Sequence, residues 1–348
     1  MKKKTEITLL NVIMCLVVIY IHISSEIVVT LDKAHPLYMF FISLWRLTSF
    51  VVPGFIMLSG IKMFLKYKNE EFNVLKFYRS RLTSILIPYI IWVIIYFVYE
   101  YLKGERVMDF NNLFFCLYSG EIGSHLYFIV ALIQFYILMP LWIKIFKKTN
   151  PAFMLPFFYL ISTIFGRFLP NIIDIYIRGY YYTYADRIFT QYLFWWAIGC
   201  YIGLYYDKFI EILKRHTVFV LITNILSSAM LIYCAYLRYK KSFFLSMEAE
   251  IQVLHTLSTL MLLYRIMLFM KDFRISENKL IKRIDNASFY IYLSHILVLK
   301  EVTYILNKNN ISDLWIRYGI KALFVYVLTI GICILYTEIK KKFKHPLH

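Results

Sequence analysis

Apolar runs long enough to cross the hydrocarbon core of a bilayer recur along the whole chain, divided by short polar segments. A crossing helix needs about 20 mostly apolar residues, and ten stretches read that way: 8–31, 38–61, 84–102, 125–146, 152–169, 188–206, 217–237, 250–270, 286–307 and 315–338. The fifth is the most interrupted, with Pro151, Pro156 and Arg167 at or within it. The pattern predicts an all-α polytopic integral membrane protein with about ten transmembrane helices. The first run follows Lys2, Lys3 and Lys4 and so superficially resembles a signal peptide. It is too long for an ordinary apolar signal region and has no small-residue cleavage site, so it reads as an uncleaved helix. No internal repeat of the kind that marks inverted-repeat transporters is visible.

Composition narrows the class. Of 348 residues, 60% are hydrophobic and 17% charged, and mean hydropathy is +0.62. A soluble domain carries about a quarter charged residues, which excludes a soluble enzyme, a disordered chain and a single-anchor protein. The 30 Phe, 31 Tyr and 6 Trp suit the two bilayer interfaces. A net charge of +18 would raise the question of nucleic acid, but the basic residues are dispersed among apolar spans rather than gathered into one domain. The termini and the even-numbered loops hold more than twice as many Lys and Arg as the odd-numbered loops. With an even number of spans, that bias places both termini and loop 62–83 in the cytoplasm of a multi-pass plasma-membrane protein. Loops 103–124 and 170–187 then face outward, and residues 1–348 form one membrane domain with no separate soluble part. Cys15, Cys116, Cys200, Cys234 and Cys333 are scattered and lack a CxxC pair, so neither a disulfide framework nor a metal site is expected.

Ionisable residues inside spans carry a cost and are functional candidates by default. His22 and Glu26 stand four residues apart in the first span, on one helix face about 6 Å apart. A carboxylate beside an imidazole fixes its tautomer and raises its basicity, as a general base requires. Ser25 adds a hydroxyl. His22 lies fourteen residues into the span, about 21 Å along it, which is the outer part of the membrane. The same residues would also serve as polar links between helices. Arg46 is a candidate partner for Glu26, and His295 is a second in-span histidine. His255 and Arg265 have weaker claims, while Lys300, Glu301, Arg317 and Lys321 sit toward helix ends where snorkelling suffices. In the cytosolic loop, Arg79 and Arg81 stand immediately before the third span, with Lys62, Lys66, Lys68 and Lys76 upstream. Guanidinium forks there suit phosphates, and they also serve as topology-setting charge.

Five blocks in order resemble the membrane acyltransferase 3 family: LLNVIMCLVVIYIH, FVVPGFIMLSGI, RLTSILIPYIIW, HLYFIVALIQFYILMPL and ASFYIYLSHILVL. The first ends where the family carries its catalytic histidine, here His22. The others place Pro53, Phe55, Ser59 and Gly60; Arg81 and Pro88; His125, Tyr127, Phe128, Tyr136 and Pro140; and Ser288, Tyr292 and His295. Two positions depart from the family pattern. Members often carry arginine eleven residues before the histidine, where this chain has Asn11, and an Arg-x-x-Arg pair where it has Arg81 and Ser84. The second departure, and the segment YLFWWAIGCYIGLYYDKF, resemble the branch containing the intercellular-adhesin O-succinyltransferases of staphylococci.

The resemblance implies O-acylation of an extracytoplasmic polysaccharide or lipid-linked sugar by an acetyl or succinyl group from cytosolic acyl-CoA, acetyl-CoA being the first expectation. Arg79 and Arg81 would hold the donor's phosphates. His22 would be base or acyl carrier, with Glu26 orienting it and Arg46, Ser25, His125, Tyr127 and His295 in supporting or substrate-binding places. The partners expected are the lipid bilayer, the glycan and acyl-CoA, with no resident cofactor, no metal and no nucleic acid. A reading from another class is a glycan exporter with His22 and His295 lining its path; export moves unmodified glycan, whereas the enzyme releases CoA.

Overall fold

The computed structural model describes residues 4–168, 172, 184–240, 247–273 and 278–344. Their regular secondary structure is helical throughout. In chain order the α-helices are α1 (Thr5–Thr30), α2 (Tyr38–Leu47), α3 (Val51–Tyr67), α4 (Val74–Arg81), α5 (Ile87–Leu102), α6 (Phe110–Ser119), α7 (Tyr127–Ile137), α8 (Met139–Lys148), α9 (Pro151–Thr163), α10 (Leu193–Leu204), α11 (Tyr206–Arg215), α12 (Thr217–Tyr239), α13 (Glu248–Asp272), α14 (Lys279–Lys308) and α15 (Leu314–Lys344).

Helices stand at each of the ten expected places. Seven segments among the described residues are long and apolar enough to cross a membrane, α2 and α3 counting as one continuous stretch and α4 and α5 as another. An eighth qualifies if α7 and α8, bent by 65° at Leu138, form one span. Pro140 in the first turn of α8 accounts for that break, because it lacks an N–H and its ring crowds the preceding turn. Pro151–Gly166, which includes α9, is a shorter apolar helix, and α10 is 12 residues long. Most of loop 170–187 lies outside the described residues.

The chain divides into two compact units, Met1–Phe55 with Ile210–His348, and Ile56–Phe209. In the first, α1 packs on α13, α14 and α15. Its inward stripe of Val12, Cys15, Ile19 and Ile23 has helical spacing and meets Ile284, Ala287 and Ile291 of α14 and Val325 and Cys333 of α15. In the second unit, α3 and α10 approach closely enough that a Cβ on Gly199 would sit 2.1 Å from the Met57 carbonyl oxygen. A Cβ on Gly203 would sit 2.7 Å from Phe64, so the Gly199-x-x-x-Gly203 spacing is a small-residue helix contact. Polar side chains start the helices that follow loops: Asn73, Asp109, Asn150 and Asn278 each accept from backbone N–H groups of the next turn. All five cysteines are free and buried.

Candidate active site and basic groove

The first unit gathers the in-span histidines. His22 on α1 and His295 on α14 face each other with ring centroids 5.1 Å apart and planes tilted by 49°. His295 is fully buried. Its Nδ1 lies 2.7 Å from the Tyr292 carbonyl and 3.2 Å from that of Ile291. Carbonyl oxygens only accept, so Nδ1 carries a proton and Nε2 is the ring's other working atom. Tyr292 flanks His295 at 5.9 Å and Phe55 at 6.1 Å, giving the pair an aromatic wall. Ser25 sits beside His22 in sequence, but its hydroxyl donates back to the His22 carbonyl at 2.7 Å.

The polar partners differ from the pairings expected. Glu26 gives Oε1 to Arg317, at 2.8 and 3.0 Å, and Oε2 to Lys321, at 2.6 Å. Arg317 and Lys321 do not snorkel. Lys321 is 3% exposed and both lean inward on α15, because the shared carboxylate meets charge that the bilayer interior would not. Arg46 pairs with Glu248 at 3.3 Å, and Arg238 bonds the same carboxylate. It does so because α2 packs on α12, whose end leads into α13. His255 is a structural link: Nε2 lies 3.1 Å from the Leu47 carbonyl and Nδ1 3.0 Å from Ser228 Oγ. Arg265 donates to Thr217 Oγ1 at 3.0 Å.

Nearer the other end of α1, Asn11 Nδ2 donates to Asp285 Oδ1 at 2.7 Å and to Ser288 Oγ at 2.9 Å. Thr8 Oγ1 adds a bond to Asp285 Oδ2 at 3.3 Å. This buried α1–α14 network, and the Arg317–Lys321 pair, are what sequence reasoning missed. The usable signal for the pair was two basic residues four apart at the start of an otherwise apolar helix.

The second unit holds the basic loop. Pro88 cannot bond the Ser84 carbonyl and crowds it, and the backbone widens into a π turn over Leu82–Leu86. Ser84 and Thr83 hydroxyls return bonds to Ser80 and Arg79 carbonyls at 2.7 and 3.1 Å. That turn borders a mostly apolar groove of ≈ 470 Å³ lined by Tyr78, Arg79, Arg81, Leu82, Ile133 and Tyr136 among others. Arg79 is exposed. The Arg81 guanidinium lies over the rings of Phe77 and Tyr136, 5.4 and 5.3 Å from their centroids.

Elsewhere in this unit His125 is buried beside Tyr96, ring centroids 5.8 Å apart, and Tyr127 lies 5.9 Å under the Arg187 guanidinium. In loop 103–124, Arg106 donates to Glu100 at 2.9 Å and to Glu121 at 3.3 Å. Burial pushes the adjacent Cys116 thiol up to about 11, Arg106 opposing the rise and Glu121 adding to it.

A helical, multi-pass membrane protein with paired histidines inside its spans is thus the class that fold and site define. The sequence model described as an acyltransferase domain matches residues 4–338, and the chain belongs to the membrane acyltransferase 3 family. Among curated relatives, the probable poly-beta-1,6-N-acetyl-D-glucosamine export protein of Staphylococcus aureus (strain MSSA476) is 24% identical over 349 residues, covering 97% of this chain and 94% of the relative. The protein of the same name from Staphylococcus epidermidis is 23% identical over 342 residues, covering 96% and 90%. No solved structure matches the chain. Family, relatives and apolar helices together make this a multi-pass protein of a bacterial cell membrane.

Proposed function

We propose that this protein is an O-acyltransferase that moves an acetyl or succinyl group from cytosolic acyl-CoA to a hydroxyl of an extracytoplasmic polysaccharide or lipid-linked sugar. The observation that carries the reading is the His22–His295 pair inside spans of a chain whose family domain covers residues 4–338. An imidazole there takes the proton of the acceptor hydroxyl as its oxygen attacks the thioester carbonyl; the carbon–sulfur bond breaks and the CoA thiolate leaves. In the alternative order His22 itself takes the acyl group and passes it to the hydroxyl. Arg79 and Arg81 hold the donor's phosphates. Glu26 sets the charge around His22 through Arg317 and Lys321, and Arg46, Ser25, His125, Tyr127 and His295 support the site or the acceptor. The reading includes ten crossings, α9 and α10 among them, with both termini cytosolic and the chain acting as one membrane domain.

The relatives' name favours a second reading, export of a β-1,6-linked N-acetylglucosamine polymer. The test is CoA-thiol release by the purified protein with acyl-CoA and a glycan acceptor, beside transport of labelled glycan into inverted vesicles. His22→Ala should fold, keep its melting transition and lose about 10²–10⁴-fold in transfer, the usual contribution of a general base. Glu26→Gln should lose less. Transport of unmodified glycan without CoA release would replace the enzyme with the exporter.

A further inference from the structure

One turn beyond His22, the first unit places two cations on one carboxylate. Arg317 has four of its five N–H bonds engaged: Nε and one terminal nitrogen meet Glu26, and the other terminal nitrogen donates to Asn307 Oδ1 and the Ile311 carbonyl, both at 2.9 Å. Lys321 donates one of its three N–H bonds to Glu26 Oε2 and has no second acceptor among the described residues. It lies about 10 Å along α15 from that helix's start, at 3% exposure, too deep for water to balance it freely. The analogous Arg46–Glu248–Arg238 group differs in that Arg238 is 47% exposed and solvent screens its surplus.

We infer that Arg317 and Lys321 form an oxyanion subsite beside His22, which takes a carboxylate or phosphate oxygen carried by one of the reactants. The inference rests on the acyl-transfer reading and deepens it: the Glu26–Arg317–Lys321 group carries one positive charge over, one turn from His22, and an anionic substrate group restores its balance. Lys321 supplies the open donors, Arg317 and Glu26 hold it in place, and a reactant lacking the negative group leaves those donors unmet. Discrimination of this kind is strong because the penalty falls on the site's own buried polar groups.

Two reactants offer such a group, and paired substrates separate them. The donor pair is succinyl-CoA against acetyl-CoA with a neutral β-1,6-N-acetylglucosamine oligomer. The acceptor pair is a prenyl-phosphate-linked sugar against the free sugar with acetyl-CoA. Protein in zwitterionic nanodiscs is assayed for CoA release, and each ligand's shift of the melting transition is recorded. Wild type should prefer the charged member of one pair by about tenfold or more in kcat/KM. Lys321→Met, which leaves the Glu26–Arg317 pair balanced, should cut that preference below about threefold. Glu26→Gln, which adds to the surplus, should raise it. No preference in wild type, or a preference unmoved in both variants, overturns the subsite. Should no pair release CoA, the acyl-transfer reading falls, and the melting shifts decide the subsite alone: a charged ligand stabilising wild type no more than Lys321→Met overturns it.

Discussion

His295 presents a single working nitrogen. Its Nδ1 proton is committed to the Tyr292 carbonyl, so any proton exchange at this ring runs through Nε2, and the ring cannot flip without breaking that bond. Glu26 is committed too, to two cations of α15. Glu26→Ala leaves Arg317 and Lys321 facing each other unbalanced and should cost about 1–3 kcal/mol, the part-exposed end of the range for breaking an ion pair. A lower melting temperature, partly recovered by adding Lys321→Met, is the expected result; an unchanged melting curve would mean the cations are balanced elsewhere. His22 and its neighbourhood were legible from an ionisable group in an apolar run. The partners were not. Spacing within one helix shows which residues share a face, whereas Glu26 is claimed by whichever helix packs there, and that is set by the distant α15.

At the scale of elements, Arg79 and Arg81 end α4 directly before the π turn that Pro88 imposes. Arg81 reaches the groove with its stem and plane supported by Phe77 and Tyr136. Arg81→Ala should raise KM for acyl-CoA more than it lowers kcat, losing on the order of 1–3 kcal/mol of donor binding. Titration of purified protein with acyl-CoA checks it, and wild-type affinity in the variant would leave the basic loop with topology-setting charge alone. The helices themselves were legible because long apolar runs have few other outcomes. The 65° break at Leu138 was not, since Pro140 inside an apolar run is compatible with a mild kink as well as a sharp one.

For the whole molecule, the basic bias predicts that loop 62–83 faces the cytosol. Because all five native cysteines are buried, an impermeant maleimide should leave the unmodified protein unlabelled in intact cells, and a single Glu70→Cys should stay unlabelled until the membrane is opened. Labelling of that residue from outside would reverse the orientation and move the proposed donor site to the wrong face. Composition showed the membrane class directly. The division into two compact units was not legible, because one unit is assembled from both ends of the chain and no local signal records which distant segments meet.

The bond between Asn11 and Asp285 also bears on what α1 tolerates at residue 11. Asp285 is a fixed socket on α14, and residue 11 is the plug. An amide fills it at 2.7 Å; a longer guanidinium placed at that position would meet the same carboxylate. Such an exchange would be absorbed within one helix pair, about 16 Å along α1 from His22, and the His22 end of the helix need not register it.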